Sequence, residues 1–551
     1  MLANKKPVKI PQEIKTVIDK RGYVYCINGY NYNAEKKHTD DSRKAIGKVL
    51  ETDNTLMYPN KNYIEMFKKD TIEEPSSVDS YLHYGQYLAI KKAADHFGLF
   101  TCLEKAFPKL FKKIFALALF AIDAEDSTAQ HYDKWGFSNY AGLDSCLSSG
   151  NISEIYKEIG LEREKRELFF SLFNEAYTSM NVVKERKIIA FDSTNQNTSS
   201  SKENMVKAEI GKPKKDEQLP IINTAFFTDE LTGIPIYYES FFGSLLDKSQ
   251  TPFTVEKVNS LGFKKYFYMM DRGYYSKNTL KSMKKNEFAI MCPEKLKFVK
   301  EIFQTYRDEV RLKHVNYIEK ENCYGILIKE KNEDGLNNYL FYDPNTAFDE
   351  VNFITGNVEK ILKQLTSSDL YYSLALAEKY KKYFTLVPIG KGKKRRFTVL
   401  KNLETIQEEI DNAGLFVIAS NVELTSSEII QIARKRDAVE KNFRSLKTHL
   451  LFDKPDVHNE VTYDGKMFVM FIALNLLMTY KFLIKEYLSS VSSFTVHTSL
   501  AVLSKIIIEK RDEYRHLRYA LTKQSKEILN KLGYSNIETK LKILSSPDKI
   551  S

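Results

Sequence analysis

Tryptophan is almost missing from this 551-residue sequence; the only one is Trp135. Cysteine is sparse too. Cys26, Cys102, Cys146, Cys292 and Cys323 contain no C-x-x-C pair and are odd in number. That argues against a zinc site and a disulfide framework, and favours a reducing compartment. The nine histidines are scattered and form no ligand cluster. No apolar core of a signal peptide follows the opening Met-Leu-Ala-Asn-Lys-Lys. The run Ile114 to Ile122 is too short to cross a bilayer. Met467 to Tyr480 is also short and carries Asn475 and Thr479, so it reads as a buried helix. There is no internal repeat and no low-complexity linker. These absences together predict a cytoplasmic protein.

Apolar residues make up 43% and charged residues 28%, the balance of a globular chain long enough for several structural units. The formal net charge of +11 is a modest pointer to an anionic partner. Residues 1–48 hold eleven Lys or Arg against five Asp or Glu, a local net of +6. Tyrosines interleave with these cations in Arg21-Gly-Tyr-Val-Tyr-Cys-Ile-Asn-Gly-Tyr-Asn-Tyr, which alternates like strands. The alternation suits either a phosphate backbone or a small sheet with a solvated face.

Residues 78–180 show the three-to-four spacing of helices, at Leu88 to His96, Cys102 to Ala121 and Ser153 to Tyr177. Trp135 reads as a helix-packing residue. From residue 186 the pattern changes to strand, hairpin, helix, strand, helix. Asp229-Glu-Leu-Thr-Gly233 marks the hairpin turn, and Ser276 the N-cap of a helix. Residues 300–405 read as a β-rich insertion, with strands expected at Val310–Tyr317, Tyr324–Lys329 and Asn338–Tyr342. Later strands flank a basic tip at Lys391 to Arg396. A core strand returns at Gly414 to Ser420, Thr425 or Ser426 caps the next helix with help from Glu428, and the remainder reads as helical.

Two acids, Asp192 and Asp271, each follow a short apolar run, Ile188-Ile-Ala-Phe and Tyr266-Phe-Tyr-Met-Met. Strand ends of an α/β sheet are where side chains meet a ligand. Singly, either acid is an ordinary turn or cap residue. On the helix after residue 424, Ile432, Val439 and Leu446 recur every seven residues on one stripe. The neighbouring stripe carries one acid among three cations: measured from Arg436, Glu440 falls near ~40°, Lys447 near ~20° and Arg444 at roughly 80°. An amphipathic helix with a solvated face looks the same. The alternative is that Glu440 joins the aspartates while Arg436, Arg444 and Lys447 grip phosphates. Three gathered carboxylates require a cation, and magnesium, an oxygen-seeking ion, is the natural one.

These residues resemble the DDE transposases of bacterial insertion sequences, in the branch with a Tyr-x2-Arg-x3-Glu-x6-Lys signature. Arg436, Glu440 and Lys447 fall in register with that signature, whereas its tyrosine position is Ala433. Phe191-Asp192-Ser-Thr and Met270-Asp271-Arg272-Gly resemble the motifs of the first two acids. The resemblance implies an α/β fold: an RNase H-like mixed sheet flanked by helices, with a β-rich insertion and helical N- and C-terminal parts. It implies a basic segment over 1–75, a DNA-binding helical domain over 76–185, and a catalytic core over 186–299 and 406–490. The insertion at 300–405 interrupts that core, and a helical region over 491–551 follows it. Asp192, Asp271 and Glu440 would bind two Mg2+ or Mn2+ ions. Arg436, Lys447, Arg444 and Arg272 would contact DNA. The implied activity is cutting double-stranded DNA at transposon ends and joining the freed ends to a target, within a homodimeric synaptic complex. Two other classes stay open: a non-catalytic DNA-binding protein derived from a transposase, and a metal-dependent nuclease on the same core.

Overall fold

The computed structural model describes residues 8–33, 38–50, 53–67, 80–143, 145–179, 187–198, 200, 203–210, 219–245, 247–261, 266–311, 313–367, 370–392, 394–436, 450, 455–491, 494–511, 514–517 and 519–534. They fall into two compact units. One draws on Met1–Leu82, Ile507–Ala520 and Asn536–Ser551, the other on His83–Ile506 and Leu521–Ser535.

In the first unit the alternating aromatic and basic sequence forms an antiparallel sheet. Its strands are β1 (Val8–Lys9), β2 (Thr16–Ile18), β3 (Tyr23–Asn33), β4 (His38–Leu50) and β5 (Asp53–Pro59), in the order β1-β5-β4-β3-β2. Val24, Cys26, Ile46 and Met57 form its core. A further strand, β6 (Ser80–His83), joins a C-terminal hairpin of Ile507–Arg511 and Tyr514–Leu517 in a three-stranded sheet. The C-terminal part was expected to be helical throughout, and this hairpin corrects that. Its strands are short and charged, so alternation there is hard to tell from a helix face.

The second unit is built on a nine-stranded mixed sheet. Its strands are β7 (Lys187–Asn197), β8 (Ile221–Asp229), β9 (Pro235–Phe242), β10 (Tyr266–Met270), β11 (Glu287–Met291), β12 (Tyr317–Ile318), β13 (Cys323–Ile328), β14 (Asn337–Tyr342) and β17 (Leu415–Ser420). The spatial order is β12-β13-β14-β17-β11-β10-β7-β8-β9. β7, β10 and β11 run parallel; β8 and β9 fold back as an antiparallel hairpin. β8 and β10 are buried along their whole length, as unbroken apolar runs predict for a covered sheet.

The stretch 300–405 departs from the expected pattern in detail. Residues 310–317, expected as a strand, instead begin with the end of a helix, Lys297–Val310. Val299, Ile302, Phe303 and Val310 are its buried residues, so the helical period outcompetes the local alternation. Of the five strands here, β12, β13 and β14 extend the main sheet through β17. The other two, β15 (Phe384–Ile389) and β16 (Arg396–Lys401), form a separate hairpin. That hairpin packs with the helix Pro344–Ser367 around Val358, Leu365, Tyr380 and Phe384, a small core of its own. At the end of this hairpin Gly390 and Gly392 take positive φ.

Helices Gly85–His96, Leu99–Ala106, Phe111–Ala124, Ser149–Leu161 and Arg163–Ser179 cover one side. Pro108 separates the second and third, since proline cannot continue a helix. Trp135 packs against Phe120 and donates to the Asp123 carboxylate at 2.7 Å, the packing role expected for it. Through their midst runs Glu460–Leu483, buried on every side from Gly465 to Tyr480. By length and composition this helix would cross a membrane, but 83% of its most apolar window lies buried in the protein. It is the expected buried helix, longer than the apolar run suggested.

This central helix meets Ser149–Leu161 backbone to backbone. A Cβ at Gly465 would stand 1.8 Å from the Tyr156 carbonyl oxygen, and one at Gly160 1.8 Å from that of Val461. Neither obstacle is a flexible side chain. Gly465→Ala should therefore destabilise the protein by about 1–3 kcal/mol or more, as overpacking does. Gly356→Ala, in an open helical position, should stabilise it by about 0.5–1 kcal/mol. Chemical denaturation of both variants checks the contrast.

Candidate active site

Residues 192 and 271 are 79 positions apart in sequence and neighbours in the sheet. β10 pairs with β7 in parallel from Tyr266↔Lys187 to Met270↔Phe191. The next residue after each of that last pair is an aspartate: Asp192 within β7, and Asp271 just past the end of β10 on the neighbouring strand. Asp271 ends its strand as expected. It caps the turn Arg272–Tyr274, its carboxylate accepting from the Arg272 N–H at 2.7 Å. Asp192 does not end its strand, which corrects the sequence reading. β7 continues through Ser-Thr-Asn-Gln-Asn to Asn197, paired with β8 as far as Ile221. That polar run resembles a loop, yet Ser193, Gln196 and Asn197 are buried. Of Asp192 the backbone alone is described.

The polar half of β7 is held from the central helix. Tyr463 donates its hydroxyl to Gln196 Oε1 at 2.6 Å, and Ser240 and Thr224 lie within 3.3 and 3.4 Å of the same hydroxyl. Asn475 Nδ2 donates to the Pro235 carbonyl at 2.7 Å. Buried polar groups without partners are costly, so these bonds fix where the helix sits on the sheet.

The helix expected to carry the third acid begins at residue 426 and is described to 436. Thr425 and Glu428 cap it reciprocally: Glu428 N donates to Thr425 Oγ1 at 3.2 Å and Thr425 N to Glu428 Oε2 at 2.8 Å. Ile429, Ile430, Ile432 and Ala433 are buried against Phe267, Met269 and Ile418 of the sheet. Ala433 thus fills a packing position. Arg434 pairs with Asp343. Arg436 is 4% exposed, inside the protein and not on a solvated stripe. Glu440, Arg444 and Lys447 lie outside the described residues. Arg272 is exposed, in a 3.4 Å ion pair with the equally exposed Glu294.

Among the described residues no three His, Cys, Asp or Glu side chains gather as a metal-binding group. Those residues include neither Glu440 nor the side chain of Asp192. The five cysteines are free. A buried acid that sequence reasoning missed is Glu230, in the β8–β9 turn, whose N–H donates to the Ile188 carbonyl at 2.9 Å. Burial pushes its carboxyl up to about 9, against the pull of Lys435 and Arg436. Its neighbour Asp229 builds the turn by accepting from Thr232 N at 2.9 Å, and Gly233 follows at φ 71°. Nothing in Asp229-Glu-Leu-Thr-Gly233 distinguishes the buried acid from a solvated one.

The transposase DDE domain family matches residues 356–476. That stretch includes the helix of Arg436 and position 440 of the sequence, and leaves out β7 and β10. The match supports the resemblance to DDE transposases and a transposase function. No curated protein matches the chain. Among solved structures, a piggyBac transposase synaptic complex with hairpin DNA aligns over 83% of this chain and 82% of that one, at 8% identity and a TM-score of 0.34.

Because Glu230 holds its proton in the folded protein well above the usual carboxylate range, its contribution to stability is full at low pH. It falls as pH rises toward 9. Glu230→Gln removes that titration. The variant's advantage over wild type in thermal midpoint should widen steadily from pH 5 to pH 9. A constant offset across that range would show that Glu230 is ionised when folded.

Proposed function

We propose that this chain is the DNA transposase of an insertion sequence, cutting at terminal inverted repeats and transferring the freed ends to target DNA. The observation that carries the reading is the register of β7 on β10, which sets residues 192 and 271 side by side. Their hard oxygen donors suit Mg2+ or Mn2+, with Glu440 as the third ligand. A bound pair of such ions would supply the charge that activates an attacking oxygen and stabilises a leaving one at phosphorus.

The chain's own residues then bind and orient the strand. Arg272 follows Asp271 directly, and its ion pair with Glu294 is of the exposed kind that contributes little. Exchanging Glu294 for a phosphate costs Arg272 correspondingly little. Arg444 and Lys447 would contact the transposon end. Arg436, being buried, would steady the helix that presents Glu440 more than it touches DNA. The segment β9-β8-β7-β10-β11, an antiparallel hairpin beside parallel strands, is what we read as the RNase H-like core. The protein would act as a homodimer pairing two ends, in the bacterial cytoplasm on the nucleoid.

A duplex bearing the element's inverted repeat, incubated with purified protein and Mg2+, should be nicked at the end and joined to a target. Asp192→Ala and Asp271→Ala should each reduce both steps by roughly 10³-fold or more while duplex binding persists. Variants that cut at the wild-type rate would remove these residues from the site. Cutting without joining would instead identify a nuclease.

A further inference from the structure

Beyond Asp192, at the far end of β7, lies a second polar feature. A cavity of about 830 Å³ opens between Asn197, the start of the helix Ser149–Leu161 and the start of the central helix Glu460–Leu483. Its size falls in the range that holds a small ligand.

Lys466 stands in its wall. The residue is 4% exposed. It has no hydrogen bond or ion pair within the described residues, although an ammonium carries three donors. Asp456, the one carboxylate lining the cavity among the described residues, and Asp126 act on it through space. Burial lowers its proton affinity to about 8 against those two attractions. A cation so placed gains from an anion delivered into the cavity.

Two more features favour negative charge there. Ser149 and Gly150 begin a 13-residue helix and Thr462 lies in the first turn of a 24-residue one, so two helix N-termini converge on the space. Between them the wall offers hydroxyl and amide groups, among them Ser153, Thr198 and Asn459. Lysine, hydroxyls, amides and helix N-termini are the groups that hold phosphate oxygens.

We propose that this cavity binds the phosphate of a nucleotide, with Lys466 as the charge that receives it. The nucleotide is either free or part of a DNA strand, and the second source rests on the transposase reading above. The site is distinct from residues 192 and 271, which lie at the other end of the polar half of β7.

Limited acylation of the full-length protein, mapped by peptide mass spectrometry, tests the assignment. Lys466 should be modified in the free protein and protected at least about fivefold by dTMP, by duplex DNA, or by both. Protection by dTMP alone assigns the free nucleotide; protection by duplex assigns the strand. Lys466→Met should then weaken the protecting ligand about tenfold, and for duplex reduce the salt slope by about one. Lys466→Arg, which keeps the charge, should retain binding. No modification of the free protein, equal modification in all arms, or unchanged affinity and salt slope in a folded Lys466→Met each overturns the proposal. Because these readouts are binding and labelling, they stand apart from the cleavage assay on Asp192→Ala.

Discussion

Five backbone pairs between β7 and β10 decide where residues 192 and 271 stand. Parallel pairing has no local loop to set its register, so a slip by one residue would send every side chain of one strand to the opposite face. Here the register is fixed by burial on both sides. Ile189 and Ala190 on one strand and Phe267 to Met270 on the other are enclosed, and exposing any of them would be costly. The two aspartates inherit their proximity from hydrophobic neighbours that have no chemistry of their own.

The central helix extends that constraint to the rest of the second unit. It touches the helices Gly85–His96, Phe111–Ala124 and Ser149–Leu161 and the strand β9. Its glycines allow main-chain contact with Ser149–Leu161, and its Tyr463 and Asn475 bond polar atoms of the sheet. Apolar packing alone would let such a helix slide or rotate. Directional bonds to Gln196 and to the Pro235 carbonyl give it one position.

Much of this was legible in the sequence because the deciding signals are local. The strand–hairpin–helix–strand order, the Ser276 cap, the Thr425–Glu428 capping box and the glycine turn at 233 depend on residues within a few positions of one another. The strands of residues 188–191 and 267–270 were each marked by an apolar run followed by an acid, whereas their parallel pairing was not. What stayed hidden depends on distant partners. Ser193 to Asn197 looked like a loop because the tyrosine that satisfies Gln196 lies at position 463. β11 is five residues long, and no acid directly follows its apolar run to mark it. Helix geometry alone puts Arg436 on the charged stripe beside Glu440 as a phosphate contact, and its burial depends on where that helix lands. Lys466 was invisible for the same reason: a lone lysine ahead of an apolar run gives no sign of a cavity.

The length of β7 carries a geometric consequence. Its pairing with β8 is continuous from Ile189↔Asp229 to Asn197↔Ile221, without a bulge. Residue 192 and the cavity mouth at Asn197 are therefore held five residues apart, about 16 Å along an inextensible ribbon. Duplex DNA advances about 3.4 Å per base pair, so that interval spans about five pairs, close to half a helical repeat. A straight duplex laid beside the ribbon would present opposite sides of its cylinder at the two ends. Inserting one residue would upset both that spacing and the inward–outward alternation that builds the strand.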